Sequence, residues 1–291
     1  MKTRHLSTFV LIALSFLFFT SRLSAQEGPI STATRIVESE GRPLWEAGLA
    51  GFGGYLADYP GADEGRARGF PIPYFIYRGE VFRAGEGGIV RGRYKASETL
   101  EFDLSFDASL SSDSDKNILR RGMPDLDFLG EIGPQVIWRA WKAQDRSLSV
   151  NLPMRAVLSF GSGAVRSQGF VFNPRVTYRD RAFIGGNTLS IGLGAILASE
   201  NLMDYFYQVS PRFARPGRPA FDASGGYLGT EVSLNLSRVV TPRLRAFAGT
   251  QIGIFSGATN RGSTLLARDV NWNFAAGFAW GIWESDRRAG D

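Results

Sequence analysis

The sequence has no cysteine and a single histidine, His5. The first absence removes disulfides and thiolate nucleophiles, and with them the thiol that carries a lipid anchor. The second removes the imidazole on which Ser-His hydrolysis depends. Once the N-terminal segment carrying His5 is cut away, no ordinary zinc ligand set is left. Long apolar runs are equally scarce. Leu6 to Phe19 is nearly unbroken, yet it falls short of the about 18 residues that a spanning helix needs, and nothing later in the chain approaches it. No basic block interleaved with aromatics occurs, so nucleic acid is not an expected partner.

What is present begins with features of export. Lys2 and Arg4 precede the apolar run, and Leu23-Ser24-Ala25 ends on a small residue, the pattern of a cleavable secretory signal over residues 1–25. Its removal takes Lys2, Arg4 and Arg22 and no acid, so the formal charge of +5 owes much to targeting. Residues 26–43 are polar, with Gly28-Pro29 and Gly41-Arg42-Pro43, and read as a loose periplasmic lead-in.

From Leu44 the chain alternates. In residues 271–283 one set is Trp272, Phe274, Ala276, Phe278, Trp280 and Ile282, and the interleaved set is Asn271, Asn273, Ala275, Gly277, Ala279 and Gly281. A strand sends successive side chains to opposite faces, so one face here is greasy and the other small or polar. The length suits a tilted strand crossing a bilayer, with aromatic residues near both ends at the lipid-water interface. Trp272, Phe274, Phe278 and Trp280 are therefore expected to face lipid. The same pattern recurs over 44–57, 70–76, 100–110, 126–140, 148–160, 170–178, 189–197, 230–236 and 244–254. Further strands are read near 81–91 and, from Tyr205, Tyr207, Val209, Pro211 and Phe213, over 205–213. The expected fold is all-β: an antiparallel transmembrane β-barrel at 44–283 with about 12 strands, 10 or 14 also fitting, and a polar tail at 284–291. Long and short turns do not alternate cleanly in this assignment, as 111–124 and 142–146 illustrate.

If the greasy set faces lipid, the other set faces a lumen. That set brings Glu101, Asp103, Asp107, Asp125, Asp127 and Glu131 onto two neighbouring strands and Arg139, Arg155, Arg175 and Arg179 onto those that follow. Two outcomes are open: the charges pair and close a narrow interior, or they set a transverse field across a small aqueous pore. The serines between the acids of 101–107 suit a solvated wall better than a carboxylate pair built for glycoside cleavage. Gly51-Phe52-Gly53-Gly54 and Gly85-Glu86-Gly87-Gly88 open no helix and lack a phosphate-loop lysine. No catalytic residue, metal or cofactor is expected.

Several motifs carry a resemblance. Asp58-Tyr59-Pro60-Gly61-Ala62-Asp63-Glu64 followed by Pro71-Ile72-Pro73-Tyr74, then Gly122-Met123-Pro124-Asp125-Leu126-Asp127, Met203 to Pro211 and Ala220 to Gly226, resemble in order and spacing the signatures of the MipA/OmpV family of outer-membrane proteins. Tyr207-Gln208 departs from the usual Phe-Gly, and the tail after Trp283 displaces the customary terminal aromatic. The resemblance implies location in the bacterial outer membrane, among lipid and lipopolysaccharide. It also implies a scaffold role that holds a murein lytic transglycosylase together with a bifunctional penicillin-binding protein. A small-solute diffusion channel or an adhesin is the alternative. Within the first motif, Tyr59, Asp63 and Glu64 are candidates for contact with a partner or, through divalent cations, with lipopolysaccharide phosphates. A plain type II turn at Pro60-Gly61 accounts for the same residues.

Overall fold

The structure is a computed structural model that describes residues 43–288, apart from 79–81, 85–90, 93 and 162. The expected signal, almost all of the lead-in and residues 289–291 lie outside the described residues. Alternation produces the strands: β1 (Trp45–Ala57), β2 (Gly65–Arg78), β3 (Phe82–Ala84), β4 (Arg91–Gly92), β5 (Tyr94–Lys95), β6 (Leu100–Ser109) and β7 (Phe128–Lys142). They continue as β8 (Arg146–Gly161), β9 (Ala164–Phe172), β10 (Arg175–Phe183), β11 (Asn187–Ala198), β12 (Gly226–Thr241), β13 (Leu244–Ile254) and β14 (Val270–Glu284).

All belong to one 14-stranded sheet, antiparallel throughout among the described residues. Sequence neighbours pair, and β14 returns to β1 with Tyr55 opposite Phe274. β9 and β10 both pair with β8 and β11, so they are halves of one stave broken at Asn173-Pro174, where proline offers no ladder donor. β4 pairs with β3, β5 pairs with β6, and one residue separates them. The two ends of the strand path, β4 and β5, are thus one residue apart in the sequence. Counting each interrupted pair once gives twelve staves.

The burial pattern is inside out relative to a water-soluble sheet. Phe102 is 45% exposed while its neighbour Glu101 is 4% exposed, and Trp272 is 61% exposed beside a buried Asn271. Such a convex apolar surface is stable only against lipid, where each backbone group must already be bonded within the sheet. All four aromatic residues expected to face lipid, Trp272, Phe274, Phe278 and Trp280, are on this exposed face.

Two readings of the sequence are corrected. Residues 205–213 form no strand: Glu200–Tyr207 is a helix, α1, and Pro211–Phe213 is a 3-10 turn. Leu202, Met203, Phe206 and Tyr207 make one buried helical stripe, and reading only every second residue from Tyr205 concealed it. Among the described residues, β4 and β5 add strand that the sequence reading did not assign beyond 91. With α1 placed in a loop, the long connections fall on one rim, which also carries one short connection, where Gly161 of β8 pairs with Ala164 of β9. Loops 58–64, 110–127, 199–225 and 255–269 share one rim, and the short turns 143–145, 184–186 and 242–243 share the other with both described chain ends.

The charged interior and the loop cap

The concave face holds the charges expected of a lumen, and they are paired. Glu131 and Asp107 lie directly opposite across β6 and β7, an unfavourable placement for two acids. Arg155 of β8 offsets it, with Nε donating to Glu131 at 2.8 Å and Nη2 3.6 Å from Asp107. Below them Arg139 donates to Glu101 at 2.7 Å. Arg175 and Gln251 both donate to Glu231, and Arg175 also reaches the Asn173 side chain at 3.0 Å. Near the short-turn rim Glu46 takes Arg78 at 2.9 Å and Arg245 at 3.1 Å. Asp103 is buried, its carboxylate accepting from the Leu104 amide, and Arg179 reaches Ser190. Most of these bonds join adjacent or next-adjacent staves, so the wall is zipped along itself.

Asp125 and Asp127 are the exceptions among the expected lumen charges. Both precede β7, in the long loop 110–127. Asp125 accepts the Ser114 amide at 2.7 Å, and the Asp127 amide donates to the Tyr205 hydroxyl. Burial holds the Asp127 carboxyl above its ordinary range.

Toward the long-loop rim the interior turns apolar. Leu129, Val157, Val171, Ile196 and Leu228 point inward from five staves, and onto them pack Leu202, Met203, Phe206 and Tyr207 of α1. Tyr59, Leu126, Val209, Phe255, Leu265 and Leu266 complete this cluster, which draws on all four long loops. The result is a cap seated in the barrel mouth. Each of the four loop motifs that carried the resemblance contributes to it.

The turn 58–64 shows how the cap is fastened. Gly61 at φ +75° and the Ala62 amide donating to the Tyr59 carbonyl at 3.0 Å make the expected turn with Pro60. Asn271 of β14 accepts the Gly61 amide at 2.6 Å and donates to the Ala62 carbonyl at 2.8 Å, while the Tyr207 hydroxyl donates to the Pro60 carbonyl at 2.8 Å. Asp58 is fully buried between Arg66, Arg68 and Asn117. Tyr59 is likewise buried, its ring under the Arg120 guanidinium at 5.5 Å, and burial pushes its hydroxyl far above the usual range. Of the three residues singled out in this motif, Asp63 and Glu64 are half-buried and Tyr59 has no outward surface.

Sequence reasoning missed Arg120 and Arg218. Arg120 donates to the carbonyls of Phe206 at 2.9 Å and Pro124 at 3.3 Å; Arg218 donates to those of Leu119 at 2.6 Å, Arg121 at 3.1 Å and Phe213 at 2.7 Å. Burial lowers the pKa of both. No periodic signal marks such residues, because they bond loops that meet only in three dimensions.

Comparison with known proteins adds two findings. The sequence profile described as MltA-interacting protein MipA matches residues 49–282. A solved structure of a porin, described as "NanC porin structure in rhombohedral crystal form", is similar with a TM-score of 0.38 at 9% identity, over 80% of this chain and 98% of that one. No curated protein matches the chain.

Proposed function

The chain belongs to the MltA-interacting protein MipA family, and from that premise we propose that it is an outer-membrane barrel that scaffolds peptidoglycan-remodelling enzymes rather than conducting solutes. The partners would be a murein lytic transglycosylase and a bifunctional penicillin-binding protein. The observation that carries this reading is the filled mouth: α1 and three other loops pack an apolar cluster there, above an interior whose charges are paired. A diffusion pore keeps its polar wall solvated. The short-turn rim suits a periplasmic docking surface. Pro43 pairs with Arg288 there, so lead-in and tail start side by side on the face that meets the periplasm.

Asp63 and Glu64 lie on the opposite rim. Their position supports an external cation or lipopolysaccharide contact, or an adhesive one, more than a murein-enzyme contact. The arrangement gives catalysis no support: the two acids placed directly opposite each other on the interior wall, Asp107 and Glu131, are spanned by Arg155.

The test is recovery of partners from detergent-solubilised envelopes at native expression, alongside single-channel recording of the purified protein. Wall enzymes in the eluate with no conductance are expected. An empty eluate together with steady unitary currents would replace the scaffold by a channel.

A further inference from the structure

The arginines of the cap differ from those of the interior wall in what they touch. On the wall Arg78, Arg139, Arg155 and Arg175 each reach a carboxylate. In the cap, Arg120, Arg121, Arg212, Arg215 and Arg218 do not: among the described residues none has a carboxylate oxygen within 4.0 Å. Arg120 and Arg218 are buried and spend their donors mainly on backbone carbonyls. Arg121, Arg212 and Arg215 are exposed. Arg215 rests on the Ile118 carbonyl at 2.7 Å, Arg121 on that of Asp115 at 3.3 Å, and Arg212 stacks over Phe213 at 4.6 Å.

Of the nearby acids of loop 110–127 three are engaged, while Glu200, Asp204 and Asp222 form a separate acidic group within loop 199–225. Asp113 pairs with Lys116 at 2.9 Å, Asp115 accepts the Gly122 amide at 3.4 Å, and Asp125 accepts the Ser114 amide at 2.7 Å. The presenting loops are also fixed. Arg215 and Arg218 exchange backbone bonds of 2.9 and 2.8 Å around Gly217, and the Arg218 side chain ties this turn to residues 119 and 121. Five arginines thus sit on two bonded cap loops with no carboxylate oxygen within 4.0 Å among the described residues, and three of them are exposed.

Location selects the anion. Loop 199–225 leaves the sheet where Ser199 Oγ accepts the Phe170 amide at 2.9 Å, and Phe170 is exposed on the lipid-facing surface. Arg212 and Arg215 therefore belong to a loop rooted at the lipid boundary of the long-loop rim, and Arg218 ties Arg121 of loop 110–127 to it; in an outer leaflet the most abundant polyanion at that level is phosphorylated glycolipid. A planar guanidinium fork matches phosphate oxygens in pairs. Resting on the outer-membrane reading above, we propose that Arg121, Arg212 and Arg215 bind phosphate groups of lipopolysaccharide in the outer leaflet, with Arg120 and Arg218 holding the two loops that present them.

The experiment titrates bisphosphorylated lipid A onto the purified full chain in detergent, with monophosphorylated lipid A, inorganic phosphate and phosphatidylethanolamine as comparisons. The variant R121Q/R212Q/R215Q is expected to bind bisphosphorylated lipid A roughly 100-fold more weakly at low salt, about 5-fold for each charge lost near a phosphate surface. Wild-type affinity should fall from the bisphosphorylated to the monophosphorylated lipid and drop with added salt. Undiminished binding by the triple variant overturns the proposal. So does displacement of lipid A by inorganic phosphate at equal concentration, which would indicate a general anion site. Heat-modifiable gel migration reports whether each protein is a folded barrel, and a folded wild type that ignores lipid A sinks this inference alone. If the triple variant does not fold, the three single Arg→Gln variants are titrated, and unchanged affinity in all of them has the same force.

Discussion

Arg155 on β8 and Glu131 on β7 form a 2.8 Å ion pair with both side chains buried in the concave face of the sheet. Removing the cation leaves Glu131 and Asp107 facing each other unneutralised. Arg155→Gln is expected to destabilise the folded barrel by about 3–5 kcal/mol, the usual cost of orphaning a buried partner. Urea unfolding in detergent, followed by tryptophan fluorescence, measures it. Adding Glu131→Gln to the same chain should restore part of the loss. A single variant as stable as wild type would mean that water reaches the pair and screens it.

Phe278 and Ala275 lie on opposite faces of β14, one 43% exposed and the other 2%. Phe278→Arg places a charge on the lipid side near the middle of the stave, at a cost of about 2–4 kcal/mol. Ala275→Arg meets a packed interior, where Gly54 already lies against it. Both are expected to lower the yield of heat-modifiable protein. Normal assembly of Ala275→Arg would reveal a wide lumen at that level.

Gly61→Ala probes the cap. The residue has φ +75°, and a Cβ there would lie 2.9 Å from Leu266 Cγ, which is itself buried. The backbone conformation alone costs a non-glycine residue about 1–2 kcal/mol. The expected outcome is faster limited proteolysis within 199–225 and 255–269, with the staves still protected. Unchanged cleavage rates would show that the turn is not a fastening point.

Asp63→Asn with Glu64→Gln removes two charges from the outer rim while keeping size and turn propensity. Binding of calcium-loaded lipopolysaccharide micelles is expected to fall with barrel stability unchanged. Equal binding by the double variant would reduce the motif to a turn.

The staves were legible because a lipid-facing wall writes its two faces into alternate residues, as Glu101 to Ser109 and Asn271 to Ile282 do. The same parity sets the acids and arginines of the strands opposite the apolar face, but it does not reach Asp125 and Asp127, which precede β7 in a loop. The cap was not legible. Its contacts, such as Arg120 to Phe206 or Asn271 to Gly61, join residues far apart in sequence whose side chains follow no period. α1 was misread because tyrosine and phenylalanine at 205–207 suit either element, and only the stripe at Leu202, Met203, Phe206 and Tyr207 decides between them.

β1 and β14 pair along most of their length, and the ladder extends to the Leu44 amide on the Arg287 carbonyl at 2.7 Å and the Ser285 amide on the Trp45 carbonyl at 2.9 Å. This seam joins the first strand of the described residues to the last. While the chain is being made, the edge of β1 that pairs with β14 therefore waits for residues 270–284, with its amides and carbonyls unsatisfied. An edge left open that long is a template for pairing with other strands. The polar residues 285–288 are then the last stitches, and a chain cut short before Val270 keeps the hazard without the means to end it.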